Sequence, residues 1–196
     1  MSEIKVNKAS PATGTAFTLG DSGDTFTVPS GATIVNSGTA TGFGGGKMGQ
    51  VVQTVNTETE THTTTTFTTI PDFTVAITPA ATSSKILIIA YTAMGSSNGY
   101  TSSLQLFRDT TQIFMGDAAS SRSRVSTSQF IDHARTMANA TIVYLDSPSS
   151  TSEVEYSCKW FIQSGGTVYL NRAYTDTDSA EYSREASSIT AIEVLA

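Results

Sequence analysis

Few side chains in this sequence have the chemistry to catalyse a reaction or to hold a metal: two histidines, one cysteine and two short acidic clusters. His62 and His133 fall in separate candidate strands, and neither has a second His or Cys at ligand spacing, so each reads as a satisfied or surface histidine. Cys158 lies on the apolar side of an alternating stretch, which marks a packed, inert thiol rather than a nucleophile. Asp21 and Asp24 make one acidic cluster, and Asp176-Thr-Asp178-Ser-Ala-Glu181 the other. The second has oxygens to offer Ca²⁺ but lacks the glycine and ligand ladder of an EF-hand, so a solvated polar loop is the stronger reading. The carboxylates of a glycosidase face each other across a cleft, and nothing in the spacing selects such a pair. Gly-Gly-Gly-Lys at residues 44–47 lacks the spacing and the strand-to-helix setting of a phosphate loop and reads as a linker. No catalytic residue, metal or cofactor is assigned, and no enzymatic activity is expected.

Recognition chemistry has better candidates. Tyr100, Tyr174 and Tyr182 fall in predicted loops, and sugar rings stack on aromatic faces set beside polar groups. Each has a plainer reading as a packing or interface tyrosine. Nucleic acid is a poor partner: the net charge is −6, and Arg122 and Arg124 are the only close basic pair.

The elements that must position these groups are strands. With 33 Thr and 26 Ser against 14% charged residues, the composition favours strands joined by Ser- and Gly-rich turns. No window longer than about ten residues keeps a helical apolar period. Residues 132–140 come nearest, and they read equally well as strand end and loop. No apolar run is long enough to span a bilayer, and no basic start followed by an apolar core marks a signal peptide, so a soluble protein without membrane insertion is expected. A lone cysteine forms no internal disulfide, which suits folding in a reducing cytoplasm.

The run Lys85-Ile-Leu-Ile-Ile-Ala-Tyr-Thr-Ala-Met94 is apolar at odd and even positions alike through Tyr91. A strand of that kind needs cover on both faces. One sheet supplies the first cover, and a second copy of the chain is expected to supply the other, with Ile86 and Ile88 named as packing residues. Further strand candidates cover residues 48–55, 63–70, 73–78, 102–108, 112–116, 125–133, 141–145, 154–163, 167–172 and 188–195. Residues 154–163 alternate cleanly, with Val154, Tyr156, Cys158, Trp160 and Ile162 inward. Ser164-Gly-Gly166 is expected to turn them directly into a hairpin with 167–172, and Asp109-Thr-Thr111 to close another. A jelly-roll β-sandwich accommodates this order, and residues 188–195 are expected at a central position of a sheet.

Residues 1–46 read differently. Phe17-Thr-Leu-Gly-Asp-Ser-Gly23, Phe26-Thr-Val-Pro-Ser-Gly31 and Ile34-Val-Asn-Ser-Gly38 repeat a short apolar piece ended by Ser-Gly. Ordering four residues costs about 4–8 kcal/mol of backbone entropy, and burying one Phe or Ile returns only about 1.5–3. A lone rung cannot hold itself, so Phe17, Phe26 and Ile34 are expected to pack against other chains, in a threefold stem, or against a binding surface; a flexible Gly-, Ser- and Thr-rich tail is the plainer reading. Gly42-Phe-Gly-Gly-Gly46 then serves as hinge to a knob at 47–196.

The segment Phe26-Thr-Val-Pro-Ser-Gly-Ala-Thr-Ile-Val-Asn-Ser-Gly-Thr-Ala-Thr-Gly-Phe43 resembles N-terminal stems of virion structural proteins from tailed phages, marine and cyanobacterial ones above all. The body resembles the same group at Thr78-Pro-Ala-Ala-Thr-Ser-Ser-Lys-Ile-Leu87, Tyr144-Leu-Asp-Ser-Pro148 and Ser164-Gly-Gly-Thr-Val-Tyr-Leu-Asn171. The resemblance implies an all-β homotrimer with a jelly-roll knob, comparable in architecture to the trimers of tumour necrosis factor and C1q. It implies a tail fibre or a capsid-decorating cement protein on the virion surface, assembled in the host cytoplasm and anchored by its stem to other virion proteins. A host-surface glycan-binding adhesin, using the knob loops, is the alternative.

Overall fold

The computed structural model describes residues 11, 13–15, 21–25, 27–33 and 47–195. The chain divides into two units, residues 1–43 and 44–196, and each is taken by itself.

In the first unit two of the expected Ser-Gly corners are formed. Ser22-Gly23 and Ser30-Gly31 are turns, with Gly23 at φ 97° and Gly31 at φ 85°, conformations that glycine reaches without a Cβ penalty. Backbone bonds Asp24 N–H to Asp21 O (3.1 Å) and Ala32 N–H to Pro29 O (3.1 Å) close them. No strand joins the corners among the described residues of this unit, and Val28 is exposed. Phe17, Phe26 and Ile34 lie outside the described residues.

The second unit is an antiparallel β-sandwich, and all its regular structure is strand among the described residues. The first sheet contains β1 (Lys47–Asn56), β2 (Thr61–His62), β4 (Lys85–Ser96), β8 (Met137–Asp146), β10 (Val168–Leu170) and β11 (Ser187–Leu195). The second contains β3 (Thr68–Ile77), β5 (Tyr100–Arg108), β6 (Thr111–Ile113), β7 (Thr127–Ile131) and β9 (Val154–Ile162). Long strands run β1-β11-β4-β8 in one sheet and β3-β9-β5-β7 in the other. Ranked by order along the chain, the eight long strands stand 1-8-3-6 and 2-7-4-5, the double Greek key of a jelly roll. β11 sits between β1 and β4, so it is central in its sheet, as expected of residues 188–195.

The core lies between the sheets. β4 contributes Ile86, Ile88, Ala90 and Met94, β5 contributes Leu104 and Leu106, and β9 contributes Tyr156, Cys158, Trp160 and Ile162, all buried. The expected inward set of β9 is therefore the observed one. Asp109 at φ 50° turns β5 into β6, and its carboxylate accepts the Glu155 N–H at 2.9 Å.

The other expected hairpin does not form. β9 has β3 on one edge and β5 on the other, so no edge is left for residues 168–170. Ser164-Gly-Gly166 instead carries the chain to the other sheet, where β10 pairs with β4 and β2. The two candidates at 63–70 and 73–78 merge into one strand, β3. Its register shifts between Thr69 and Thr74, where Pro71 supplies no N–H and Asp72 stands at φ 48°.

A polar tie spans the sandwich. The Asp146 carboxylate of β8 accepts from the Arg108 guanidinium of β5 at 2.8 and 3.1 Å and from the Tyr156 hydroxyl of β9 at 2.7 Å. Burial first, then this hydrogen bond, push the Tyr156 phenol well above its usual range.

Candidate interaction surfaces

Strand alternation sorts the β4 run between two environments. Ile86 and Ile88 are fully buried in the chain's own core and so are not free to touch another chain. Leu87, Ile89 and Tyr91 take the opposite face and are only half-buried. The outward-facing residues of β4 are therefore Leu87, Ile89 and Tyr91, not Ile86 and Ile88.

They are not alone on that face. Leu87 stands opposite Leu145 on β8 and Ile192 on β11, Ile89 opposite Val143 and Thr190, Val51 opposite Ile192, and Met48 opposite Val194. Met48 is 74% exposed, Val51 58%, Val55 56%, Val143 56% and Leu145 45%, so the second unit by itself leaves these apolar side chains uncovered. Among the described residues, Lys85 at the rim, opposite Val194, is the one charged side chain that alternation sends outward here. The four-strand face spans on the order of 400 Å² in all, and polar side chains interrupt its apolar residues: Gln53 Nε2 donates to the Thr190 hydroxyl at 2.8 Å beside Ile89. A face of that size is comparable to the largest apolar patch of an ordinary monomer, and such patches often serve a function.

The outer face of the second sheet is different. It carries Thr101, Ser103, Gln105, Glu155, Ser157 and Lys159, with the Lys159 ammonium 3.8 Å above the Phe107 ring. Phe67 and Phe161 cover each other, stacked at 5.1 Å, and Phe130 is 61% exposed.

Another candidate surface is the loop of residues 171–186, between β10 and β11. Asn171, at φ 58° and fully buried, anchors it. Its Nδ2 donates to the Asn56 carbonyl at 2.9 Å and the Glu58 carbonyl at 2.8 Å, and its Oδ1 accepts from the Ser187 hydroxyl at 2.6 Å. An asparagine placed directly after an apolar triplet is the only advance sign of this anchor, since Asn tolerates the left-handed conformation. Further along, Asp176 is held by Arg184 at 2.7 Å and by Arg172 at 3.9 Å, and Glu181 by Arg135 at 3.2 Å. The Arg135 guanidinium also lies over the Tyr182 ring, 5.3 Å from its centroid, and Thr175 N–H reaches the Ala134 carbonyl at 2.9 Å. The calcium reading of residues 176–181 meets carboxylates already engaged by guanidinium groups. Among the described residues no group of three His, Cys, Asp or Glu side chains is placed to hold a metal.

The three tyrosines separate. Tyr100 is not a loop residue: it starts β5, half-buried against the core, and its ring lies over Gly165 and Gly166, where an added Cβ at Gly166 would stand 2.7 Å from it. Tyr174 is 47% exposed and tilted against Tyr169, with centroids 5.8 Å apart. Tyr182 lines a hollow of about 380 Å³ together with Asp176, Thr177, Asp178, Ser179 and Arg184.

The remaining reactive groups are structural. His62 stacks on Trp160 at 5.3 Å, with the Thr64 and Thr68 hydroxyls 3.4 and 3.3 Å from its ring nitrogens, and burial lowers its pKa. His133 is exposed and accepts the Arg135 N–H at 3.2 Å. Burial pushes the Cys158 thiol up to about 12, leaving almost no thiolate at neutral pH. Glu193 was not foreseen. It is 2% exposed, and the Ala80 N–H donates to it at 2.6 Å. Burial raises its pKa, but the Ala80 N–H, the Ser84 side chain and the Gln50 N–H together outweigh that effect and the net shift is downward.

No protein-family model and no curated protein matches the sequence. Among solved structures, a chain of the infectious bursal disease virus Gx strain aligns with TM-score 0.40 and 8% identity over 76% of this chain. A chain of the infectious bursal disease virus VP2 subviral particle aligns with TM-score 0.36 and 6% identity over 76%. This chain spans 40% and 39% of the length of those two chains.

Proposed function

We propose that this chain is a non-enzymatic virion structural protein: a homotrimer whose β-sandwich knobs pack through the outer face of the first sheet, and whose N-terminal stem attaches it to other virion proteins. The observation that carries this reading is the solvent-facing, largely apolar surface of β1, β11, β4 and β8, on which Met48, Val51, Val55, Val143 and Leu145 stand exposed. Three copies around an axis bury that face on every subunit and leave the more polar second sheet outward. The stem resemblance to tailed-phage proteins favours a tail fibre or a capsid cement protein at the particle surface. Deleting residues 1–46 is expected to abolish attachment to particles while full-length protein attaches. Normal occupancy by the deletion variant would assign the stem the wrong role. Copies per particle separate the two placements, a few at one vertex for a fibre and many over the shell for a cement protein.

Recognition of a host-surface glycan is a second reading. The sixteen-residue loop 171–186, with Tyr174 and Tyr182, favours it, because long loops without regular structure are uncommon in compact domains unless they have a function.

A further inference from the structure

We propose that the hollow inside the 171–186 loop is a subsite for one uncharged, hydroxyl-rich ring, a neutral hexose or N-acetylhexosamine. The proposal rests on the recognition reading. The hollow's volume, about 380 Å³, falls within the range of small-molecule sites, roughly 300–1,000 Å³. Its lining decides the ligand class. Asp176 is neutralised by Arg184 and Arg172, so a cation finds no free cluster of carboxylates there. An anion would meet the Asp178 carboxylate on the same wall. What is left for a ligand is a set of acceptors and donors of both kinds: the Thr177 and Ser179 hydroxyls, the Asp178 oxygens and the Arg184 guanidinium. Vicinal hydroxyls, which donate and accept at once, match that set. Tyr182 adds an aromatic surface against which the apolar face of a sugar ring can lie.

The hollow is also braced before any ligand arrives. Asn171 pins one end of the loop, and Glu185 N–H returns to the Asn171 carbonyl at 3.1 Å near the other. Arg135, from the β7–β8 connection, holds both the Glu181 carboxylate and the Tyr182 ring. A site built in advance avoids part of the ordering cost that weakens binding to a mobile loop.

The test is ligand-observed saturation-transfer NMR on the full-length protein with glucose, galactose, N-acetylglucosamine and N-acetylgalactosamine, at tens of millimolar because single-sugar sites bind at about millimolar strength. At least one sugar is expected to receive saturation. Tyr182→Ala and Asp178→Ala should each weaken that binding about tenfold, and Phe130→Ala, on the second sheet, should not. Unchanged oligomeric mass and melting temperature show that the variants are folded. Saturation of a sugar that survives both Tyr182→Ala and Asp178→Ala would overturn the hollow while leaving glycan recognition at another place. No saturation of any of the four sugars would overturn both.

Discussion

Ile89→Lys is the sharpest test of self-association. Ile89 lies at the middle of the outer face of the first sheet, between Val143 and Thr190, and is half-buried by its own sheet. In the free chain a lysine there keeps its ammonium in water, and the folding cost stays under about 1 kcal/mol, as for other surface substitutions. In the trimer that ammonium would be taken into an apolar contact without a partner, which costs about 3–5 kcal/mol per copy after relaxation. Three copies carry the change, so the assembly loses roughly 10 kcal/mol, about seven powers of ten in its association constant. Sedimentation equilibrium at tens of micromolar should find the full-length protein at three times the chain mass and Ile89→Lys at one. Glu155→Lys, on the outer face of the second sheet, should keep the trimer mass, which separates a specific contact from a general charge effect. A monomeric wild-type protein at that concentration, or an Ile89→Lys variant of trimer mass, would refute the assignment of this face.

Asp146→Ala should destabilise the knob by about 3–5 kcal/mol in denaturant unfolding, because it strands the Arg108 guanidinium and the Tyr156 hydroxyl. A loss under about 1 kcal/mol would mean that water replaces the carboxylate at no cost. Acid should act in two stages. His62 has a pKa lowered from 6.5, so its contribution is complete above 6.5 and is lost as pH falls below that value through the folded-state pKa. Glu193, lowered from 4.5, contributes fully above 4.5 and loses its share as pH falls from there through its own folded-state pKa. Glu193→Gln should flatten the lower stage of melting temperature against pH and leave the upper stage in place. An unchanged lower stage would show that other carboxylates carry it.

What the sequence discloses here follows the range of the interaction concerned. The alternation of β9 is local, so its inward set could be read from residues 154–162 alone. The doubly apolar run of β4 likewise announced a strand, because neither parity offered a polar side. Which parity faces inward was not legible, since Ile86 and Leu87 are chemically equivalent and only the partner sheet chooses between them. The β9–β10 error has the same origin. Ser164-Gly-Gly166 looks alike whether a chain folds back within a sheet or crosses to the other, and the choice depends on β3 and β5 having taken both edges of β9. Tyr100 was mistaken for a loop residue because Ser97-Asn98-Gly99 turns the chain so tightly that the next strand begins at once. The anchors Asn171, Asp146 and Glu193 were hidden for a further reason. A polar residue beside an apolar run reads as a strand end unless its distant partners are known.

The C-terminal strand links folding and assembly. β11 alternates Ile189, Ala191 and Glu193 into the core with Thr190, Ile192 and Val194 onto the outer face. The apolar face is therefore complete only once β11 has inserted between β1 and β4. Without β11 in place the face is incomplete. Self-association then binds the folded state and not the unfolded one, and it stabilises the fold by mass action. The Lys85 side chain at the rim fits the same logic, because a charge at the edge of an apolar contact stays hydrated while misaligned copies would bury it. One strand thus completes the first sheet and contributes to the surface on which the proposed trimer would pack.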